Sequence, residues 1–332
     1  MLMYIILLVI VVLLIAYFFL KAHKSGKEVN ERLVAHTPKN KQISIGNSVD
    51  ETIRREKTFK AIKYAISYTF LITMALFMLL PFYWMIITSL KTEAEIELTV
   101  PTFFPHVLAL KNYPVAIKTL NAWRLILNTV IVGFFSTLGT LVTTVLAAFA
   151  FSRIPFKGRE TIFNIFLATM MIPGEMMVIS NYITVSHLQG KNTYWAMIVP
   201  FLISVYYIYL LRQNFRQIPN ELYYAAKVDG TGDFKYLLKV MVPIAMPTLI
   251  TISILKMMGA WNSYVWPMMI TTNKEMRLIT TGLRMAFTSE QGRTIQGQQM
   301  AATTFVTAPL LIVFILLRKY IMRGVSRSGI KG

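Results

Sequence analysis

The chain has 332 residues, 55% of them hydrophobic, with a mean hydropathy of +0.54 and a formal net charge of +19. Apolar runs of membrane-crossing length recur along it, which excludes a soluble globular domain, and the absence of cysteine excludes disulfides and thiol chemistry. The positive charge is gathered between those runs, which makes it a topology signal and argues against nucleic acid as a partner.

Seven runs predict transmembrane helices: Leu2–Leu20, Tyr64–Ser89, Leu125–Phe151, Thr161–Val185, Tyr194–Leu211, Ile244–Ile270 and Ala301–Leu317. The expected class is an all-α polytopic membrane protein. Leu2–Leu20 has no basic stretch before it and no small-residue cleavage site after it, so residues 1–20 read as a retained anchor, not a signal peptide. Residues 21–61 read as a charged cytoplasmic connector. Within it Thr37–Asn47 is expected to be flexible and Val49–Lys63 to form a solvated helix at the membrane surface. Segments 21–63, 152–160, 212–243 and 318–332 hold 24 of the 34 Lys and Arg, whereas 90–124, 186–193 and 271–300 hold nine. Cytoplasmic loops carry the excess of Lys and Arg, so the N-terminus is expected outside and the C-terminus inside.

No phosphate-binding G-x-x-x-x-G-K-[ST] loop, H-E-x-x-H motif or Cys/His cluster is present, and the four histidines are scattered. The chain is therefore expected to bind no metal and no nucleotide of its own, and to carry out no covalent chemistry.

The most informative stretch is the segment 214–243 between the fifth and sixth runs. Pro219 and Asn220 suit a helix start, Glu221 suits the first turn, and Asp229-Gly230 suits a stop. The helix Glu221–Val228 would be about 12 Å long, too short and too polar to span. Ala225 and Ala226 leave one of its sides low, so another surface can approach the backbone. A second short helix, Phe234–Val240, is expected to return the chain to Pro243. The plain reading of such a segment is a cytosolic turn.

The order of residues there resembles the cytoplasmic loop of permease subunits from ATP-binding-cassette (ABC) importers, of the maltose and glycerol-phosphate type. Their pattern is Glu-Ala-Ala, three residues, Gly, nine residues, Ile-x-Leu-Pro. Ala225, Ala226, Gly230 and Pro243 match it at that spacing, with Val240 and Val242 as aliphatic substitutes and Asp229 before the Gly. Tyr224 stands where the family has Glu. Trp261-Asn262-Ser263-Tyr264 with Trp266-Pro267, Met170-Met-Ile-Pro-Gly-Glu175, Asn214–Pro219 and the ending Arg318-Lys-Tyr, Gly324 and Lys331-Gly332 extend the likeness over 62–332.

The resemblance implies a six-helix permease core over 62–332, plus one extra N-terminal helix. It also implies a second homologous permease subunit, two ATPase subunits that bind ATP and Mg, and an extracytoplasmic solute-binding protein. Glu221, Tyr224, Ala225, Ala226, Asp229, Gly230 and Pro243 would form the ATPase-coupling loop. The outer loop 285–297 would reach toward the binding protein, and the C-terminal tail toward the ATPases. The implied solute is a sugar or oligosaccharide. Glycerol phosphate is the alternative, with Lys274, Arg277, Arg284 and Arg293 as outer-loop cations.

Two charges fall inside predicted spans, Glu175 and Lys256. A charge at the bilayer centre costs about 2.5–3.5 kcal/mol on insertion scales, so each should face protein or water. They would line the translocation path, pair with each other, or leave Lys256 on a backbone carbonyl. Lys256, Gly259 and Ser263 read as one small, polar face. Trp261 and Tyr264, three residues apart, read as sharing a face that stacks on sugar or packs against a helix, and Asn262 as a further path candidate. An ion-coupled secondary transporter using Glu175 and Lys256 competes with the importer reading, but has no use for a docking helix. A membrane enzyme is disfavoured by the missing nucleophile–base constellation.

Overall fold

The computed structural model describes residues 42–287 and 295–326. The expected anchor Leu2–Leu20, Arg293 and the last residues of the tail lie outside the described residues, as do positions 288–294 of the outer loop. Among the described residues all regular structure is helical.

The chain divides into two units, Met1–Trp84 and Met85–Gly332. The described part of the first is the body of one helix, α1 (Gln42–Ser89), which continues through Pro81. From Arg54 onward it is long and apolar enough to cross a membrane, and none of its most apolar stretch is buried. Residues 42–47, expected to be flexible, are helical, and the expected surface helix Val49–Lys63 is the start of the same rod. No proline interrupts the sequence between position 39 and Pro81, so nothing removes a helical hydrogen bond there.

The second unit continues with α2 (Glu93–Ile96), α3 (Asn112–Leu120), α4 (Ala122–Ser152), α5 (Arg159–Thr169), α6 (Val178–His187), α7 (Tyr194–Ile198) and α8 (Val205–Arg216). After the loop helices α9 (Asn220–Val228), α10 (Asp233–Tyr236) and α11 (Val242–Ile244) come α12 (Met246–Trp261), α13 (Val265–Ile270), α14 (Ile279–Ala286) and α15 (Gln296–Ser326). Only α1, α4 and α15 are straight candidates for spans among the described residues; three more arise if each bent pair counts as one.

The bends correct the expectation of continuous spans. Arg159–Thr169 and Gly174–His187 meet at 84°, at Pro173-Gly174. Tyr194–Phe201 and Val205–Arg216 meet at 47°, and Asp233–Ile244 and Met246–Trp261 at 79°, between Pro243 and Pro247. Proline withholds an N–H and disfavours helix in the preceding residue, so each Pro-bearing break follows from local chemistry. The expected span Ile244–Ile270 is also divided. It stops at Trp261 and resumes at Val265, with Pro267 in the first turn of α13, where its missing N–H costs nothing.

α4 is the central helix, packed on α12 and α8, while α15 packs on α3 and α12. Many of the buried positions of α4 are small or hydroxylated, among them Thr129, Gly133, Ser136, Thr140, Thr144 and Ala148. Lipid-embedded helices associate through such close approach. A Cβ on Gly133 would lie 2.6 Å from Met257 Sδ, and one on Gly139 2.5 Å from Leu202 Cδ2.

Candidate functional site

The loop 214–243 is a folded platform. α9 ends as the sequence predicts, with Gly230 at φ +71°. The Thr231 N–H donates to the Ala226 carbonyl at 2.8 Å and the Gly230 N–H to that of Lys227 at 3.0 Å, which closes the helix with a left-handed residue. No atom lies within 4 Å of a Cβ added at Gly230, so the backbone conformation alone demands glycine there. The returning helix departs from the expected Phe234–Val240. It starts at Asp233, passes through a π-helical turn at Leu237–Met241, and runs into α11, where Pro243 is exposed.

One side of this platform is sealed. Tyr236, Leu237, Met241 and Ala245 are buried with Phe149 of α4, Leu211 and Phe215 of α8 and Ile252 of α12, and Tyr223 and Ala226 pack against that cluster. The two alanines therefore differ, because Ala226 is half-buried while Ala225 is exposed. The outward side presents Leu222, Tyr224, Ala225, Val228 and Phe234, with Val228 88% and Tyr224 63% exposed. Glu221 and Asp229 are exposed beside them.

Three polar fastenings hold the platform, and none was singled out from sequence. Arg153, directly after α4, is buried and donates to the carbonyls of Phe215 (2.8 Å) and Ile218 and to the Asn220 Oδ1. Arg212 on α8 donates to the Phe151 carbonyl at 3.0 Å and to both Glu160 oxygens at 2.7 Å, with its guanidinium 3.9 Å from the Phe163 ring centre. Asp233 accepts from the Tyr223 hydroxyl and the Lys227 ammonium, each at 2.8 Å. That carboxylate holds Lys227 above the usual lysine range.

A second feature lies at membrane depth. A cavity of about 400 Å³ is lined by α4, α7, α8 and α12, with Ser136, Tyr206, Tyr207, Lys256 and Ser263 on its wall. It sits beside the break between α7 and α8, where a helix surrenders its carbonyls and irregular backbone must find partners. Thr140 Oγ1 donates to the Phe201 carbonyl at 3.2 Å, Thr143 Oγ1 to that of Leu202 at 2.7 Å, and Lys256 Nζ to that of Phe201 at 2.7 Å.

The sequence-expected path residues are dispersed. Lys256, Gly259 and Ser263 line the same cavity, although Ser263 lies beyond the end of α12 and so does not share its helical face. Glu175 is exposed in the turn Gly174–Met177, and no ion pair joins it to Lys256 among the described residues. Trp261 and Tyr264 do not share a helical face, because α12 ends at Trp261. Trp261 is buried among Leu125, Ile279 and Phe287, which is helix packing. Asn262 is exposed and donates to the Met258 carbonyl of its own helix at 3.0 Å. Of the outer-loop cations, Lys274 and Arg284 are exposed and Arg277 is half-buried. No group of three His, Cys, Asp or Glu fit for a metal occurs among the described residues.

Residues 139–327 match the family described as binding-protein-dependent transport system inner membrane component. The trehalose/maltose transport system permease protein MalG of Thermococcus litoralis is 31% identical over 287 residues, covering 84% of this chain and 99% of that protein. The arabinooligosaccharides transport system permease protein AraQ of Bacillus subtilis is 26% identical over 286 residues, covering 84% and 100%. The sn-glycerol-3-phosphate transport system permease protein UgpE of Escherichia coli is 25% identical over 268 residues, covering 79% and 95%. In three dimensions the fold resembles a chain in the crystal structure of a bacterial ABC transporter involved in the import of the acidic polysaccharide alginate. The TM-score is 0.71 at 23% identity, over 78% of this chain and 96% of that one.

Proposed function

We infer that this chain, which belongs to the family of binding-protein-dependent transport system inner membrane components, is a multi-pass permease subunit of an ABC importer for carbohydrate. Relatives named for arabinooligosaccharide and for trehalose and maltose transport support that solute class over glycerol phosphate. The chain lies in the cytoplasmic membrane, and the Lys/Arg asymmetry supports an outer N-terminus and an inner C-terminus.

The observation that carries the coupling role is the apolar ledge on α9. Leu222, Tyr224, Ala225 and Val228 stand exposed on a helix whose other side is packed and hydrogen-bonded to α4 and α8. Exposed apolar surface on a firmly seated element fits a docking site. An ATPase subunit that grips this ledge moves α9 as a lever, and Arg153 and Arg212 pass the displacement to α4, α5 and α8. Glu221, Asp229, Gly230 and Pro243 shape the ledge, and Tyr224 replaces a polar contact with an aromatic one. ATP and Mg belong to two such ATPases, and a second permease subunit and an extracytoplasmic binding protein complete the assembly. In a secondary transporter the ledge would have no partner, and the described Glu175 and Lys256 form no relay.

Affinity purification from the native membrane, with mass spectrometry and an ATPase assay, tests this. The expected result is co-recovery of a P-loop ATPase, a second permease and a binding protein. A chain recovered alone, stable and without ATPase activity, refutes it.

A further inference from the structure

We propose that Lys256 is the anion-recognising group of a saccharide site in this chain, so that the transmembrane cavity takes a carbohydrate bearing a negative charge. The proposal rests on the importer reading and names the substrate class of its path. The wall chemistry suits a sugar: Phe201, Tyr206 and Tyr207 offer aromatic surface, and Ser136, Ser204 and Ser263 offer hydroxyls. Among these apolar and hydroxyl groups Lys256 is the one charged side chain on the lining, and no carboxylate faces it there.

The lysine is surplus to the fold. Its described partner is the Phe201 carbonyl, which already accepts from Thr140 Oγ1, while Thr143 satisfies the neighbouring Leu202 carbonyl. Both of these carbonyls thus have a hydroxyl donor besides the lysine. An ammonium carries three donors, and one is used, so two remain for an occupant of the cavity. An ionisable group held inside a membrane protein without a counter-charge marks a functional position, and its natural partner is an anion. A carboxylate or phosphate oxygen entering the cavity forms a charge-assisted hydrogen bond with it, while the ring of the sugar packs on the tyrosines. A neutral saccharide leaves the charge unanswered, so the cavity discriminates against it.

The test uses the complete complex, with its ATPases and binding protein, in proteoliposomes supplied with ATP. They are given a hydrolysate of plant and algal polysaccharides containing neutral and uronate oligosaccharides, supplemented with sugar phosphates. Luminal contents are read by mass spectrometry for wild type, Lys256→Met and Lys256→Gln. The expected result is accumulation of uronate or phosphate members by wild type and at least a tenfold loss of them in both variants. Which acid accumulates distinguishes a carboxylate from a phosphate ligand. Rescue by Lys256→Gln, which keeps a donor for the Phe201 carbonyl without the charge, overturns the proposal. ATP-driven accumulation of neutral saccharides alone overturns it too and leaves the importer standing. With the complex assembled, absence of any accumulated saccharide sinks the carbohydrate reading itself.

Discussion

The two ends of α4 are fastened by different chemistry. At its C-terminal end charge does the work: Arg153 forks across the carbonyls of Phe215 and Ile218, and Arg212 pairs with Glu160. At its N-terminal end a neutral amide does most of it, beside one long contact of 3.4 Å from Arg124 Nε to the Glu275 carbonyl. Asn128 donates to the Glu275 and Arg277 carbonyls at 2.6 and 3.0 Å and accepts from the Tyr194 hydroxyl at 2.7 Å. A guanidinium presents a rigid planar fork, so it binds several acceptors at once and resists their separation. An amide satisfies the same kind of carbonyl without adding charge. The guanidinium fastening thus lies beside the loop 214–243, and the amide-dominated one lies at the opposite end of α4.

Breaking the charged end should have the largest effect. Arg153→Met removes the hydrogen bonds to the Phe215 and Ile218 carbonyls and to the exposed Asn220, a penalty of about 1–3 kcal/mol for a buried group left without a partner. Uptake in proteoliposomes should fall more than tenfold and no longer follow ATP hydrolysis. Arg153→Lys should recover only a fraction, because an ammonium cannot fork. Full coupling in Arg153→Met would show that the fastening transmits nothing.

Breaking the neutral end should cost stability more than coupling. Asn128→Ala removes three hydrogen bonds and leaves the Glu275 carbonyl only its 3.4 Å contact with Arg124. Thermal unfolding of the purified complex should drop by several degrees, with amide exchange accelerated around residues 275–279. ATP use per solute should stay near the wild-type ratio; a changed ratio would erase the contrast between the ends.

A smaller effect is expected at the ledge. Gly230→Ala meets no atom within 4 Å, so it suffers only the left-handed backbone, about 1 kcal/mol. Gly230→Asp adds charge to the docking face and should lower uptake further than Ala does. Equal uptake in the two would place the docking surface away from residue 230.

The smallest concerns the outer loop. Glu95 accepts from Thr102 Oγ1 at 2.6 Å and from the His106 N–H at 3.1 Å. The Thr102 hydrogen bond first, and the nearby His106 and Lys91 charges after it, hold this carboxyl below its usual 4.5. A depressed folded value stabilises the loop above 4.5 and loses that contribution as pH falls through it. Protection of residues 93–106 against hydrogen exchange, corrected for the intrinsic pH dependence of amide exchange, should be flat from pH 7 to 5 and fall only below 4.5. A fall near pH 6 would contradict the assignment.

Much of the loop 214–243 was legible because its rules are local. Pro219, the alanines and Gly230 fix a short helix within a dozen residues, and the structure places its end where glycine requires. Arg153 and Arg212 were illegible for the opposite reason. Their partners lie 52 to 67 positions away, and nothing beside them in the chain distinguishes them from ordinary inner-loop cations. Trp261 and Tyr264 misled because helical spacing was assumed to run through Asn262, where the helix stops.

By itself the sequence determined the class and the apolar runs, and it set the expectation for the sidedness. Hydropathy, charge asymmetry and the Gly and Pro signals are properties of short windows, and a bilayer converts them directly into spans. Tertiary structure alone decided which cations are fastenings and which face solvent, and that Lys256, Tyr207 and Ser136 meet around one cavity. Those facts depend on carbonyls and side chains brought together across four helices, at separations no local pattern encodes.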